Sequence, residues 1–273
     1  MNDFEYIMEA TDFIKKIIKS NIEIGIILGS GLGDFANKIK IKETISYKDI
    51  PHFPVSTVEG HAGNLHFGEF GGKNIIAFQG RFHLYEGYSA SQISLPIRVL
   101  KFLGARFFIE SNAAGGLNPL FNKGDIVIIS DHINFQGVNP LIGKNDERIG
   151  VRFPDMSEPY SQELIKIAER ISLEEKIPVK KGILVGLLGP NLETKAEYRF
   201  LRYIGADMVT MSTIPEVIAA NHAGLKVFGV SVVTDMCLPD NLKPASFEEI
   251  LKVASDVEPL LTKFIENIII NIN

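Results

Sequence analysis

The chain has 273 residues, 45% of them hydrophobic and 22% charged, with a formal net charge of −5. That balance fits one large globular α/β unit, and its mild acidity gives no basic footprint for a nucleic acid partner. The single cysteine, Cys237, excludes an internal disulfide and points to a reducing, cytoplasmic compartment. No apolar run approaches the ~18 residues of a membrane span, and the N-terminus carries acids where a signal peptide carries bases. No linker-like stretch divides residues 1–273, so a single domain is expected.

In chain order, Phe4, Ile7, Met8, Phe13, Ile14, Ile17 and Ile18 recur at helical spacing from Asp3 to Ser20. Ile22 to Leu28 reads as a buried strand that exits into Gly29-Ser30-Gly31-Leu32-Gly33, followed by a helical pattern. Such a turn presents free backbone N–H groups to an anion. It lacks both the third glycine of a dinucleotide fingerprint and the Gly-Lys-Ser/Thr of a P-loop. Leu65–Phe70 and Asn74–Gln79 flank Gly71-Gly72, a hairpin signature. His61 lies in a glycine-flanked loop before that hairpin. With His66 it makes no metal site, because neither has Cys or Asp partners nearby.

The second strand of the hairpin exits into Gly80-Arg81-Phe82-His83-Leu84-Tyr85-Glu86-Gly87. Alternation along an extended chain predicts that Arg81, His83 and Tyr85 point to one side, where together they would clamp an oxyanion. A surface turn with Arg81 paired to Glu86 is the plainer alternative. A helix capped at Ser89 or Ser91 follows, with Pro96 as a possible kink and Gly104 as its end. Arg106–Ser111 is a strand leading to the small residues Asn112-Ala113-Ala114-Gly115-Gly116, and Ile126–Ser130 is another.

Residues 136–160 form a long aperiodic stretch, of the kind that is usually functional or disordered; Arg148, Arg152, Phe153 and Met156 argue against simple disorder. Helix Gln162–Glu175, strand Gly182–Leu188 and helix Lys195–Ile204 follow. A short strand then ends in Met211-Ser212-Thr213, with Pro215 at a helix start. Lys226–Val233 is the last strand, exiting at Thr234-Asp235, and a helix begins at Phe247.

Alternating strands and helices predict a central, mixed, largely parallel sheet flanked by helices, with the hairpin as an antiparallel addition. Ligands of such sheets bind beyond the carboxyl ends of the strands. Polar groups gather at those ends: Ser30, Arg81 to Tyr85, Asn112 to Gly116, Glu193, Ser212 and Asp235. Each alone is explained by the ordinary polarity of loops. Together they suggest a bipartite site, with an anion at one end and a hydroxylated or heterocyclic group at the other.

Gly29-Ser30-Gly31-Leu32-Gly33, Val58-Glu59-Gly60-His61-Ala62-Gly63, the Gly80–Gly87 motif, Asn112-Ala113-Ala114-Gly115-Gly116, Asn145-Asp146-Glu147-Arg148, Arg152-Phe153-Pro154, Gly189-Pro190-Asn191-Leu192-Glu193-Thr194 and Met211-Ser212-Thr213-Ile214-Pro215-Glu216 occur in this order along nearly the whole chain. The ordered set resembles the trimeric purine nucleoside phosphorylases. The resemblance implies a homotrimer without metal or organic cofactor, and phosphorolysis of purine nucleosides with inorganic phosphate as co-substrate. It implies Ser30, His61, Arg81, His83, Ala113 and Ser212 as phosphate ligands, and Tyr85 and Met211 as ribose contacts. Leu192, Glu193, Asp235 and Phe247 would contact the nucleoside, and Phe153 would reach a neighbouring subunit's sugar pocket. Catalytic roles would fall to His83, Glu193 and Asp235.

Two positions depart from the family pattern. Asp235 stands where many relatives have Asn, and Phe247 where a His is usual. Both lean toward the related methylthioadenosine phosphorylases, whereas the Glu193 motif looks like the branch that acts on 6-oxopurines. A 6-aminopurine or 5′-methylthio substrate, or a nucleoside-binding protein without turnover, are the alternatives.

Overall fold

The computed structural model describes residues 3–29, 31–55 and 62–272. The chain opens with α1 (Asp3–Ile17), which buries Ile7, Ala10 and Ile14. Four strands follow: β1 (Ile24–Ile27), β2 (Lys40–Ser46), β3 (Asn64–Phe70) and β4 (Lys73–Gln79). Next come α2 (Ala90–Leu103), β5 (Phe107–Gly116), β6 (Ile126–Asn134) and α3 (Gln162–Glu174). The chain continues through β7 (Val179–Gly186), α4 (Lys195–Tyr203), β8 (Met208–Thr210), α5 (Ile214–Ala223), β9 (Lys226–Met236) and α6 (Phe247–Asn271).

The sheet order is β2-β3-β4-β1-β5-β8-β7-β6-β9, and β5 also pairs with β9. That extra pairing closes β5, β8, β7, β6 and β9 into a ring, leaving the other strands as an open wing. β4, β1, β5 and β9 run parallel, as alternation predicted. Antiparallel pairing is more extensive than the hairpin, because β5 meets β8 and β6 meets β9 in that sense.

β1 is buried at all four positions, as expected of a strand covered on both faces. Gly25 lets α2 lie close: a Cβ there would stand 2.1 Å from Leu100 Cδ1. α2 is fixed by a capping box in which Ser89 Oγ accepts from Gln92 N at 3.2 Å, and it ends at Gly104 in the left-handed conformation. Among the described residues no helix is long and apolar enough to cross a membrane.

Three segments differ from the sequence reading. Lys40–Ser46 is an extra strand, exposed at most positions and so lacking an apolar signal. The helical pattern after the glycine turn is a short 3-10 segment, Gly33–Lys38. Asn112–Gly116 is no loop, because β5 continues through it, paired with Ser231–Met236 of β9.

Candidate active site

The carboxyl ends of β4, β5, β8 and β9 open into one cavity of about 540 Å³. Arg81, His83, Tyr85, Ala113, Leu192, Met211, Ser212, Asp235 and Phe247 all line it. Arg81 and Ser212 are adjacent there, with Nη1 2.8 Å from Oγ. Ser30 and His61 lie outside the described residues.

Arg81 is nearly fully buried. Its Nη1 donates to Ser212 Oγ at 2.8 Å, Thr213 Oγ1 at 3.1 Å and Ser111 O at 3.2 Å. Its Nη2 donates to Glu110 Oε2 at 2.8 Å, and its Nε lies 3.5 Å from Glu216 Oε1. Arg81 is buried and forms its ion pairs with Glu110 and Glu216, so the plainer alternative of a surface turn with Arg81 paired to Glu86 fails. Glu86 instead accepts from His83, at 2.8 Å from its backbone N and 3.0 Å from Nδ1.

His83 in turn stacks on Tyr85 with centroids 4.6 Å apart. Leu84–Glu86 forms a 3-10 turn, so this stack, and not strand alternation, brings Tyr85 to the same cavity. Burial raises the Tyr85 phenol, and the Glu86 charge adds to that, which keeps the hydroxyl a donor.

Ser212 sits where β8 hands over to α5. Thr213 adopts φ +75°, a conformation that costs energy for a β-branched residue. It is held by Arg81 and by Asn112 Nδ2, which donates to Thr213 Oγ1 at 2.8 Å. The strained corner presents Ser212 beside the amino end of α5, where the helix favours an anion.

Gly189 has φ +67°, and a Cβ there would lie 2.3 Å from Met211 Sδ. Only glycine leaves room for Met211 at the cavity side.

Glu193 lies apart from the main cavity, in an adjoining recess of about 50 Å³ that shares Leu192, Met211 and Asp235 with it. Burial raises its carboxyl, partly offset by hydrogen bonds from its own backbone and from Tyr198. Tyr198 and Cys237 complete the recess, and burial raises both of these groups strongly. Asp235 accepts from Thr234 Oγ1 at 3.0 Å and from Cys237 Sγ at 3.1 Å, so both of its oxygens are already used as acceptors.

Asn112, read from the sequence only as a polar strand end, also lines the cavity, and so do Pro190, Thr234, Ala245, Ile250 and Leu251, for which the sequence suggested no site role. The apolar positions Ile250 and Leu251, one turn past Phe247, were the available signal. Phe153 is 87% exposed and lines neither space of its own chain. Its loop is tied back on itself: Arg152 donates to Leu141 O and Gly143 O, both at 3.0 Å.

A model of the phosphorylase superfamily matches residues 23–270. Purine nucleoside phosphorylase 1 of Bacillus subtilis is 48% identical over 96% of this chain and 97% of that protein. The chain belongs to the purine nucleoside phosphorylases. The enzyme of Rattus norvegicus is 43% identical over 97% of this chain and 94% of its own length. The Schistosoma purine nucleoside phosphorylase crystallised with hypoxanthine superposes with a TM-score of 0.94, at 43% identity over 98% of both chains.

Proposed function

We propose that the chain cleaves purine nucleosides with inorganic phosphate, releasing the base and (deoxy)ribose 1-phosphate, with 6-oxopurine nucleosides favoured. The supporting observation is that Arg81, His83, Ser212 and Asp235 line one cavity, beside the Glu193 recess that shares Asp235 with it. Phosphate is already a nucleophile, so no activated serine is needed. Arg81, Ser212 and the amino end of α5 hold it against the anomeric carbon, with Ser30, His61, His83 and Ala113 as further ligands. The transition state is oxocarbenium-like, as in glycoside hydrolysis, and the fixed phosphate stabilises it electrostatically. Tyr85 and Met211 seat the sugar. Charge collecting on the departing purine is met by hydrogen bonding from the base end.

Glu193 accepts from the N1–H side of a 6-oxopurine. Asp235, an acceptor with both oxygens engaged, favours a 6-amino group and supports adenine or 5′-methylthioadenosine as the second reading. No metal or organic cofactor takes part. The working unit is a cytoplasmic homotrimer in which Phe153 of one subunit walls the sugar pocket of the next. Its near-complete exposure in the single chain supports this. Assaying inosine, guanosine, adenosine and methylthioadenosine, each with and without phosphate, tests the reading. Equal cleavage without phosphate overturns it.

A further inference from the structure

Glu110 is the only charged residue of β5, and the assignment above gives it no role. Its side chain is 0% exposed and that of Glu216, in the first turn of α5, is 2% exposed. Both face Arg81, at 2.8 Å and 3.5 Å. Among the described residues, Glu110 Oε1 and both Glu216 carboxyl oxygens have no hydrogen-bond donor. Two buried carboxyl groups therefore confront one guanidinium that lines the cavity.

The described strands on either side of Glu110 add no cation in register with it. On β1, the residue in register with Glu110 is the apolar Ile27. On β9 it is Gly229, against which Tyr160 packs. The Tyr160 phenol is raised by burial and by the charges of Glu110, Asp131 and Glu216. Arg81 also donates to Ser111 O, Ser212 and Thr213, all of them neutral. With both carboxyls ionised, the cluster would carry a net negative charge, costly in the interior and repulsive to an incoming phosphate. Burial pushes Glu110 well above the usual carboxylate range. The Arg81 charge opposes this and the Glu216 charge reinforces it.

We propose that Glu110 is a positioning residue that stays protonated behind Arg81, so that phosphate meets a cluster of no net charge. Its Oε2 anchors Nη2, and its proton cancels the excess of Glu110 and Glu216 over Arg81. This rests on the assignment of Arg81 to phosphate. Loss of the proton at high pH places a negative charge behind the site and weakens phosphate binding.

Glu110→Gln keeps the shape and the acceptor but cannot ionise. KM for phosphate and KM for nucleoside are measured for both proteins from about pH 6 to about pH 9. In the wild type, KM for phosphate rises at the alkaline end by up to about tenfold per pH unit, the limit for one linked proton. In Glu110→Gln it stays flat there, while the nucleoside KM follows the same course in both. An identical alkaline rise in the two proteins overturns the proposal.

Should Glu110→Gln fail to fold, infrared spectroscopy of ¹³C-glutamate-labelled protein decides. It is done in a Glu193→Gln background, which removes a second glutamate raised by burial. A protonated carboxyl stretch at neutral pH that shifts on adding phosphate supports the proposal, and its absence overturns it. A wild type indifferent to phosphate in turnover defeats the assignment of Arg81, while the infrared band still reports the buried proton by itself.

Discussion

Cys237 directs its thiol at Asp235, with Sγ 3.1 Å from Oδ2, while Thr234 holds Oδ1 at 3.0 Å. The carboxylate is thereby oriented before any base arrives. A thiol is a weak donor, so Oδ2 retains accepting capacity toward a purine amine. Asp235→Asn replaces that acceptor with an amide that can donate to N7 or O6. The inosine-to-adenosine ratio of kcat/KM should rise about tenfold, the worth of one hydrogen bond of about 1.5 kcal/mol. An unchanged ratio would mean that Asp235 serves only its Thr234 and Cys237 partners.

Arg81→Ala should act on both binding and stability. Removing a charge-assisted donor to phosphate costs on the order of 1.5–3 kcal/mol, read as a steep rise in KM for phosphate. The same change leaves Glu110 and Glu216 facing each other without their cation, so Tm should fall as well. A variant with normal phosphate KM would remove Arg81 from the anion site.

Phe153→Ala should raise KM for nucleoside, because the ring, 87% exposed in the single chain, is proposed to wall a neighbour's sugar pocket. Sedimentation at assay concentration should show a trimer. A fully active monomer would exclude a wall supplied by a neighbour.

His132 gives a pH prediction for stability. Burial lowers its imidazole to about 4, against the opposing pull of Asp131, and Nδ1 lies 3.3 Å from the Tyr160 hydroxyl. The unfolded chain binds a proton near pH 6.5 that the folded chain refuses until about 4. Stability should therefore be lost as pH falls through that window, by at most about 3 kcal/mol. His132→Gln should flatten the acid limb of Tm against pH. An unchanged limb would assign acid sensitivity to other groups.

The sequence revealed most where local pattern and tertiary role agree. β1, β4 and β9 were legible as apolar runs, and Ser89 with Gly104 bounded α2 through ordinary capping chemistry. β2 was hidden because an exposed edge strand rich in Lys and Glu buries little. Asn112–Gly116 reads as the loop at a strand's exit by composition, yet it is held extended by its partners. A Cβ on Gly115 would stand 2.5 Å from Cys237 Sγ, and one on Gly116 2.8 Å from Val233 Cγ1. Those glycines admit neighbouring strands as much as any ligand. The cavity's ends were visible as motifs. The grip of Glu110 and Glu216 on Arg81 was not, since it joins residues far apart in the chain whose pairing no local pattern encodes.

The β5–β9 pairing carries a consequence for how the molecule comes into being. Phe107 and Lys226 are register partners roughly 120 residues apart, so the ring closes only after a long excursion of chain. Contacts of such separation slow folding. The cavity lies where those two strands end, so during synthesis or refolding it is among the last features to take shape. Recovery of phosphate-dependent turnover after dilution from denaturant should therefore lag behind recovery of helical circular dichroism.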